Sequence, residues 1–540
     1  MNFNTTNWKH RMALLGAIIT IGTTAWAQEI EWSENYEMNS IFNKNEIVQT
    51  STDGFYVLQN YKDANYYYQQ NIGFYTLDFE KKEGTKPIEF LQDKLKGTYQ
   101  FAFSKASLPY VAYSVDNVEA QKETLFINPL ESSTLELSNT PTKLLEIDYK
   151  DKIKPEGGYR YCTSPDGSIV LFYGQAAYEK KAKGAIHLLL VDAEFKELGR
   201  GVASLNQQAG ILTVDDVVDA VIDNEGLVYL LCKMYKGKDK KEEKKVGKRF
   251  VYSLIQMDYK SKSKVQILDT LKVLSPQDSA IVVSAKLSVN RISGAVTCVG
   301  TYRFPRKKAG LFSLDAKQAF LEMPVVMDYP EEVLALEAKM PRKIKKKKHL
   351  SLKNYKIKSI FEQTDGTQII VAEQHYINVY WDKSEGRQEQ HKLNNLLVAK
   401  IVDQKIEWSK VLIKRQKAGA EGYTYVPEKL YSFYAFLRKG SIHILYNELK
   451  ENLAITDEFE LEKGYYNKPK DCYLVHCEID LSSGVLKEKK SVLGLKDDGV
   501  AVYPKETKVL ADGSLLLLGV KPEYSLKELS YIRFGRWVLD

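Results

Sequence analysis

Short apolar runs that follow glycine turns recur along the whole chain. FYVLQNY follows Thr52-Asp53-Gly54, SIVLFYG follows Ser164-Pro165-Asp166-Gly167, and LVYLL follows Asp223-Asn224-Glu225-Gly226. AVTCVG follows Ile292-Ser293-Gly294, TQIIVAE follows Thr364-Asp365-Gly366, SIHILY follows Lys439-Gly440, and SLLLLGV follows Ala511-Asp512-Gly513. Runs of this length, rich in β-branched and aromatic residues and bounded by Asp, Asn and Gly, predict strands joined by tight hairpins. Downstream in six units an apolar run ends in an acidic turn, at Asp78, Asp192, Asp258, Asp315, Asp403 and Asp480, and a further strand follows. Each unit therefore predicts four strands. The first two are joined by the glycine turn, the second and third by a segment of variable length, and the last two by the acidic turn.

Four-stranded antiparallel units in tandem predict an all-β fold, a single β-propeller of four-stranded blades. Gly167, Gly226, Gly294, Gly366, Gly440 and Gly513 are 59, 68, 72, 74 and 73 residues apart, and Gly54 precedes Gly167 by 113. That double gap holds a unit without its glycine: TYQFAFSKASLPYVAYS supplies two strands and ETLFINPL the third. Eight blades are expected, seven being the runner-up, with long loops rather than extra strands accounting for the size of the repeats. The last unit reaches its third strand near Tyr531 to Val538 and then the chain stops. Ile30-Glu31-Trp32-Ser33 matches Ile406-Glu407-Trp408-Ser409, the fourth strand of the sixth unit. An N-terminal strand is expected to complete the last blade and cover its open edge.

The first 27 residues read as an address. Lys9 and Arg11 precede an apolar stretch from Met12 to Gly22 that is too short to span a bilayer, and Ala25-Trp26-Ala27 fits signal-peptidase cleavage before Gln28. An N-terminal membrane anchor is the alternative. The expectation is an exported mature chain, periplasmic or extracellular in a bacterium, with no transmembrane span, and monomeric. Residues 28–540 form one domain in this reading, with a basic loop at 236–249 and a helix-and-basic insertion at 331–349. Within that insertion Glu331 to Lys339 carries acids at its start and Lys at its end, matching a helix dipole.

Composition changes this picture little. With 540 residues, 44% hydrophobic, 32 Gly and 15 Pro, the chain is an ordinary folded one. Removing Lys9 and Arg11 with the leader leaves 75 basic and 70 acidic residues, so any strong positive field must be local. The five cysteines, Cys162, Cys232, Cys298, Cys472 and Cys477, are too scattered for a disulfide framework. Cys472 and Cys477 fall on opposite faces of one strand, and Cys232 and Cys298 read as small buried hydrophobes. No C-x-x-C or H-x-x-x-H spacing points to zinc.

The Ser164-Pro165-Asp166-Gly167 turn with SIVLF and IHLLLVD resembles the repeat of the periplasmic TolB-type propellers. Asp223-Asn224-Glu225-Gly226 with LVYLL is similar to the repeats of NHL and sensor propellers. The resemblance implies an exported scaffold and carries over no catalytic residue, because this fold hosts binding proteins, lyases and hydrolases alike.

Candidate chemistry is sparse. G-x-x-x-x-G-K-[ST], H-E-x-x-H and G-x-S-x-G motifs are absent, and no cofactor is implied. His187, His349, His375, His391, His443 and His476 are scattered, and a lone strand histidine reads first as a packed residue. In a propeller the variable second-to-third and fourth-to-first connections share one face. That face receives Lys240, Lys241, Lys244 and Lys245 from the 236–249 loop, then Arg306, Lys307 and Lys308, then Lys345, Lys346, Lys347 and Lys348. Tyr66, Tyr67 and Tyr68 lie in the first such loop. Solvated loops are the simplest account of these lysines. The functional expectation is an exported non-catalytic binding or scaffold protein with an anionic partner: an acidic glycan, a lipid headgroup or an acidic protein. Nucleic acid fits an exported chain poorly. The alternative is a glycan-directed lyase or hydrolase with its site in the propeller channel, which needs convergent polar groups from several first strands.

Overall fold

The computed structural model describes residues 30–539 except 38–43, 63–67, 82–85, 93–94, 106–107, 132–133, 139, 149–157, 176–184, 205–211, 237–249, 259–265, 274–279, 305–308, 318–322, 332, 335–353, 383–385, 420–429, 456–471 and 523–528. The leader at 1–27 lies outside them. The strands assemble into eight antiparallel sheets, spanning residues 44–87, 95–148, 159–204, 212–273, 281–328, 355–412, 433–494 and 501–537. These are the eight blades; within the first seven the strands run in sequence order from first to fourth, and the eighth takes its fourth strand from the N-terminal segment. The glycine turns fall where expected. Six of the seven turn glycines take φ between 67° and 86°, from Gly294 to Gly226. In the acidic turns Asp192 Oδ1 accepts from the amides of Glu194 and Lys196, and Asp480 Oδ1 from those of Ser482 and Ser483.

The ring closes as the shared IEWS segment predicts. Ile30–Trp32 pairs antiparallel with the third strand of blade eight, Ile30 opposite Trp537 and Trp32 opposite Gly535. Ser33 continues the contact, its amide donating to the Phe534 carbonyl at 2.8 Å and its Oγ accepting from the Phe534 amide at 2.9 Å. A Cβ on Gly519 would meet the Trp32 ring at 2.9 Å, so this glycine makes room for the indole.

Eight apolar clusters lie between the blades. Leu171, Leu188 and Val228 join blades three and four, Leu287, Cys298 and Leu254 join four and five, and Leu311, Ile370 and Leu397 join five and six. The cluster that unites the first and last blades holds Phe55, Tyr75 and Phe534, whose ring centroids lie 4.7–5.6 Å apart. Each blade thus buries both faces against its neighbours, which is how a ring of sheets makes a core.

Two expectations need correction. Extra short strands do enlarge the repeats: Leu91–Gln92 pairs onto Leu95–Lys105, Gln416–Gly419 onto the third strand of blade six, and Tyr36–Glu37 onto Leu529–Trp537. Between Gly366 and Asp403 the length is strand, not loop, because Gln368–Asp382 and Gly386–Val402 continue as a long hairpin. Glu331, Val333 and Leu334 are helical, with the Val333 and Leu334 amides on the Pro330 carbonyl; the rest of the 331–349 insertion lies outside the described residues.

First strand packs on first strand at the seams between blades one and two, three and four, four and five, and five and six, on the inner side of the ring. Five of these strands carry a register shift, at Val48, Gln100, Val218, Val283 and Lys358. A bulge releases main-chain groups from the ladder. Neighbouring side chains take up carbonyls at these points: Arg160 Nη1 donates to Val217, Tyr252 Oη to Val283 at 3.2 Å, and Lys286 Nζ to Lys358 at 3.0 Å.

Candidate functional site

The first strand of blade six, Tyr355–Glu362, alternates buried Tyr355 and Ile357 with half-buried Lys356 and Lys358. Its period of two packs the apolar pair into the interface with blade five and leaves the lysines on the other side. Lys356 Nζ lies 3.4 Å from His375 Nδ1 on the second strand, and His375 Nε2 lies 3.0 Å from His391 Nδ1 on the third. Lys358 Nζ is 3.9 Å from Glu373 Oε2.

Groups from other blades act on the same side chains. Burial, then the ammonium groups of Lys358 and of Lys233 in blade four, push Lys356 down to about 8, with Glu373 opposing. His375 is pushed down to about 2 by burial and by Lys356, Lys358, His391 and Lys505 of blade eight. Lys356 lies on the first strand of blade six, which packs against the first strand of blade five. Lys356 is the second residue of its strand and Lys233 lies near the end of Val228–Lys236. Both therefore sit toward the face that carries the variable connections.

A buried polar bed fixes this cationic sector. Lys414 and Glu373 are both 0% exposed, with Lys414 Nζ donating to Glu373 Oε1 at 2.7 Å, Gln416 Oε1 at 2.8 Å and the Leu393 carbonyl at 3.2 Å. Gln416 Nε2 donates to the Asn447 carbonyl at 2.5 Å, and Asn447 Nδ2 donates to the Leu430 and Val502 carbonyls. The bed thereby ties blades six, seven and eight together. Because Glu373 is held by Lys414, it compensates Lys356 and Lys358 only in part.

Acidic and phenolic groups on other first strands are displaced as well. Burial raises Tyr99 of blade two, and Glu46 of blade one, Tyr161 of blade three and Glu506 of blade eight raise it further. Asp219 of blade four is raised by burial, although its carboxylate accepts from the Leu287 amide at 3.0 Å. Convergent polar groups with displaced acid–base behaviour thus line the first strands. Among the described residues no group of three His, Cys, Asp or Glu side chains could hold a metal ion, and the five cysteines are free thiols.

Lys240, Lys241, Lys244, Lys245, Arg306, Lys307, Lys308, Lys345, Lys346, Lys347, Lys348, Tyr66 and Tyr67 lie outside the described residues, and Tyr68 begins the third strand of blade one. The roots of the basic loops are described. Val228–Lys236 leads into the 236–249 loop, Val296–Arg303 into 305–308, and the 342–348 run precedes Tyr355–Glu362. These strands belong to blades four, five and six, and their loop ends share one face. Lys356 and Lys358 escaped the sequence reading, although lysine alternating with buried apolar residues in a first strand is the signal that marks them, and His375 was read there only as a packed strand residue.

No protein-family model matches the chain, and no curated protein matches it by sequence. Among solved structures the chain is similar to the β-propeller domain of the trilobed protease of Pyrococcus furiosus, at 10% identity over 84% of this chain and 99% of that one, TM-score 0.34. It is also similar to the periplasmic gluconolactonase of Pseudomonas aeruginosa, at 10% identity over 77% and 92% of the two chains, TM-score 0.34. A polysaccharide lyase, Uly1, aligns at 10% identity over 85% and 94%, TM-score 0.34.

Proposed function

We propose that the mature protein is an exported binding or scaffold propeller whose channel mouth, at blades four to six, takes an acidic glycan. The observation that carries this reading is the pair Lys356 and Lys358 on one first strand, with Lys356 Nζ 3.4 Å from His375 Nδ1 and Lys233 of blade four adding positive charge at Lys356. Like charges gathered on partly buried walls concentrate positive potential and attract anions. A recessed site within a ring admits the carboxylate or sulfate of a narrow chain and excludes a flat bilayer, so it favours a glycan over a lipid headgroup. The basic loops of the same three blades would extend the positive field outward. The leader at 1–27 and the likeness to TolB-type and NHL repeats support export.

Retention on an immobilised acidic glycan, with anionic vesicles in parallel, tests this reading. The expected result is retention by the glycan at low salt and release as salt rises, since exposed charges are screened beyond about 8 Å at physiological ionic strength. Lys356→Gln with Lys358→Gln should reduce retention by the glycan. Reversing Lys240, Lys241, Lys244, Lys245 and Lys345 to Lys348 should lower the on-rate and salt sensitivity. Equal retention by wild type and all variants contradicts the proposal, and retention by vesicles alone transfers it to a membrane surface.

A further inference from the structure

Lys356, His375 and His391 form a line of nitrogen atoms across three neighbouring strands. The separations are 3.4 Å from Lys356 Nζ to His375 Nδ1 and 3.0 Å from His375 Nε2 to His391 Nδ1. One proton order satisfies all of them: the lysine donates to Nδ1, and His375 donates from Nε2 to His391. Among the described residues the hydrogen-bond partner of Lys356 is this imidazole and not a carboxylate. Glu373, the acid that faces the cluster, is bound to Lys414 at 2.7 Å and lies 3.9 Å from Lys358. Lys358 on the same strand and Lys233 from blade four add positive charge, and Lys505 acts on the histidine from blade eight.

We propose that Lys356 is a reactive amine that captures a carbonyl compound bearing a neighbouring carboxylate, of the 2-oxo acid or sugar-acid aldehyde class, as an imine. The inference deepens the anion-binding reading and rests on it. The surrounding ammonium groups serve two ends, attracting the carboxylate and favouring the neutral amine. Loss of a proton from Lys356 to solvent leaves a lone pair on Nζ, while the neutral amine still donates to His375 Nδ1. That lone pair attacks the carbonyl carbon, forming the C–N bond as the π electrons move to oxygen. Two protons from nitrogen leave with that oxygen as water, so amine and carbonyl give imine and water with no change of oxidation state.

Glyoxylate, with cyanoborohydride to reduce the imine, tests this on the full mature chain, each lysine being followed by peptide mass spectrometry. At pH 7.5 an amine shifted from about 10.4 to about 8 has roughly two hundredfold more of its neutral form. Lys356 should therefore be labelled at least about tenfold faster than the median lysine. Propanal, which lacks the carboxylate, should show a smaller preference, and Lys358→Gln should narrow the difference. A galacturonate oligomer in place of glyoxylate separates a sugar-acid end from a free 2-oxo acid. Competitive acetylation against pH should place the Lys356 midpoint near 8, rising in Lys358→Gln. Labelling of Lys356 at the median rate, or a midpoint above 10, overturns the inference. Sulfate titration separates the two claims: sulfate binding without selective labelling leaves the anion site standing and removes the amine, and loss of both removes both.

Discussion

Lys286 Nζ of blade five donates to the main-chain carbonyl of Lys358 in blade six, across the seam between two first strands. Lys358 is the bulged residue of its strand, and its carbonyl is met by the neighbouring blade. The bulge thus couples ring assembly to the position of a lysine in the candidate site. Lys286→Met should remove this charged hydrogen bond and cost about 1–3 kcal/mol in urea denaturation, with Lys286→Arg recovering most of it. No loss in Lys286→Met would mean that the contact is incidental.

Closure by the N-terminal strand makes a long-range claim. Trp32 sits against Gly519 and Gly535, with Arg533 over its ring at 5.5 Å. Removing residues 28–40 should lower the melting temperature of the whole domain in one cooperative transition. Trp32→Ala alone should cost about 2–4 kcal/mol, somewhat less than for a fully buried indole. An unchanged melting temperature in the truncation contradicts the closure.

One turn is suboptimal by its chemistry. Arg438 and Ser441 flank a two-residue hairpin in which Lys439 has φ 45° and Gly440 φ 75°. Both central residues are left-handed, the arrangement for which Asn-Gly is preferred. Lys439→Asn should stabilise the domain by about 0.5–1 kcal/mol, and Gly440→Ala should destabilise it by about 1 kcal/mol or more. Differential scanning calorimetry of the two variants checks both signs.

Blade seven carries a second histidine pair. His443 Nδ1 and His476 Nε2 are 3.0 Å apart, the rings are parallel within 5°, and Trp537 meets His476 edge-on. Burial, then His443, pushes His476 down to about 4, while Glu488 opposes. An unfolded histidine titrates near 6.5, so between about pH 6.5 and 4 the unfolded chain binds more protons. The contribution is complete above pH 6.5 and is lost as pH falls toward 4. His476→Gln should flatten the fall in stability over that window; a curve parallel to wild type would show that other groups dominate.

Blade number, hairpin turns and ring closure were legible because each depends on local chemistry repeated along the chain. Glycine at the turns, aspartate at the third-strand ends and the IEWS match all survive as short patterns. The channel cluster was less accessible. His375 meets His391 only because Gln368–Asp382 and Gly386–Val402 run on as a long hairpin, a length that reads in sequence as a loop. Glu373 and Lys414 are 41 residues apart, and their pairing depends on a third-dimensional fold of blade six. Bulges at Gln100 and Lys358 have no residue signature of their own, since any side chain can occupy them.

Anomalous diffraction from crystals soaked in selenate tests the central claim most directly, because it locates an anion by position and not by affinity. The account predicts a selenium peak with oxygens within about 2.7–3.2 Å of Lys356 Nζ or Lys358 Nζ, absent from crystals of the Lys356→Gln, Lys358→Gln variant. Selenate bound only to surface lysines, with none at the mouth of the channel, would contradict it.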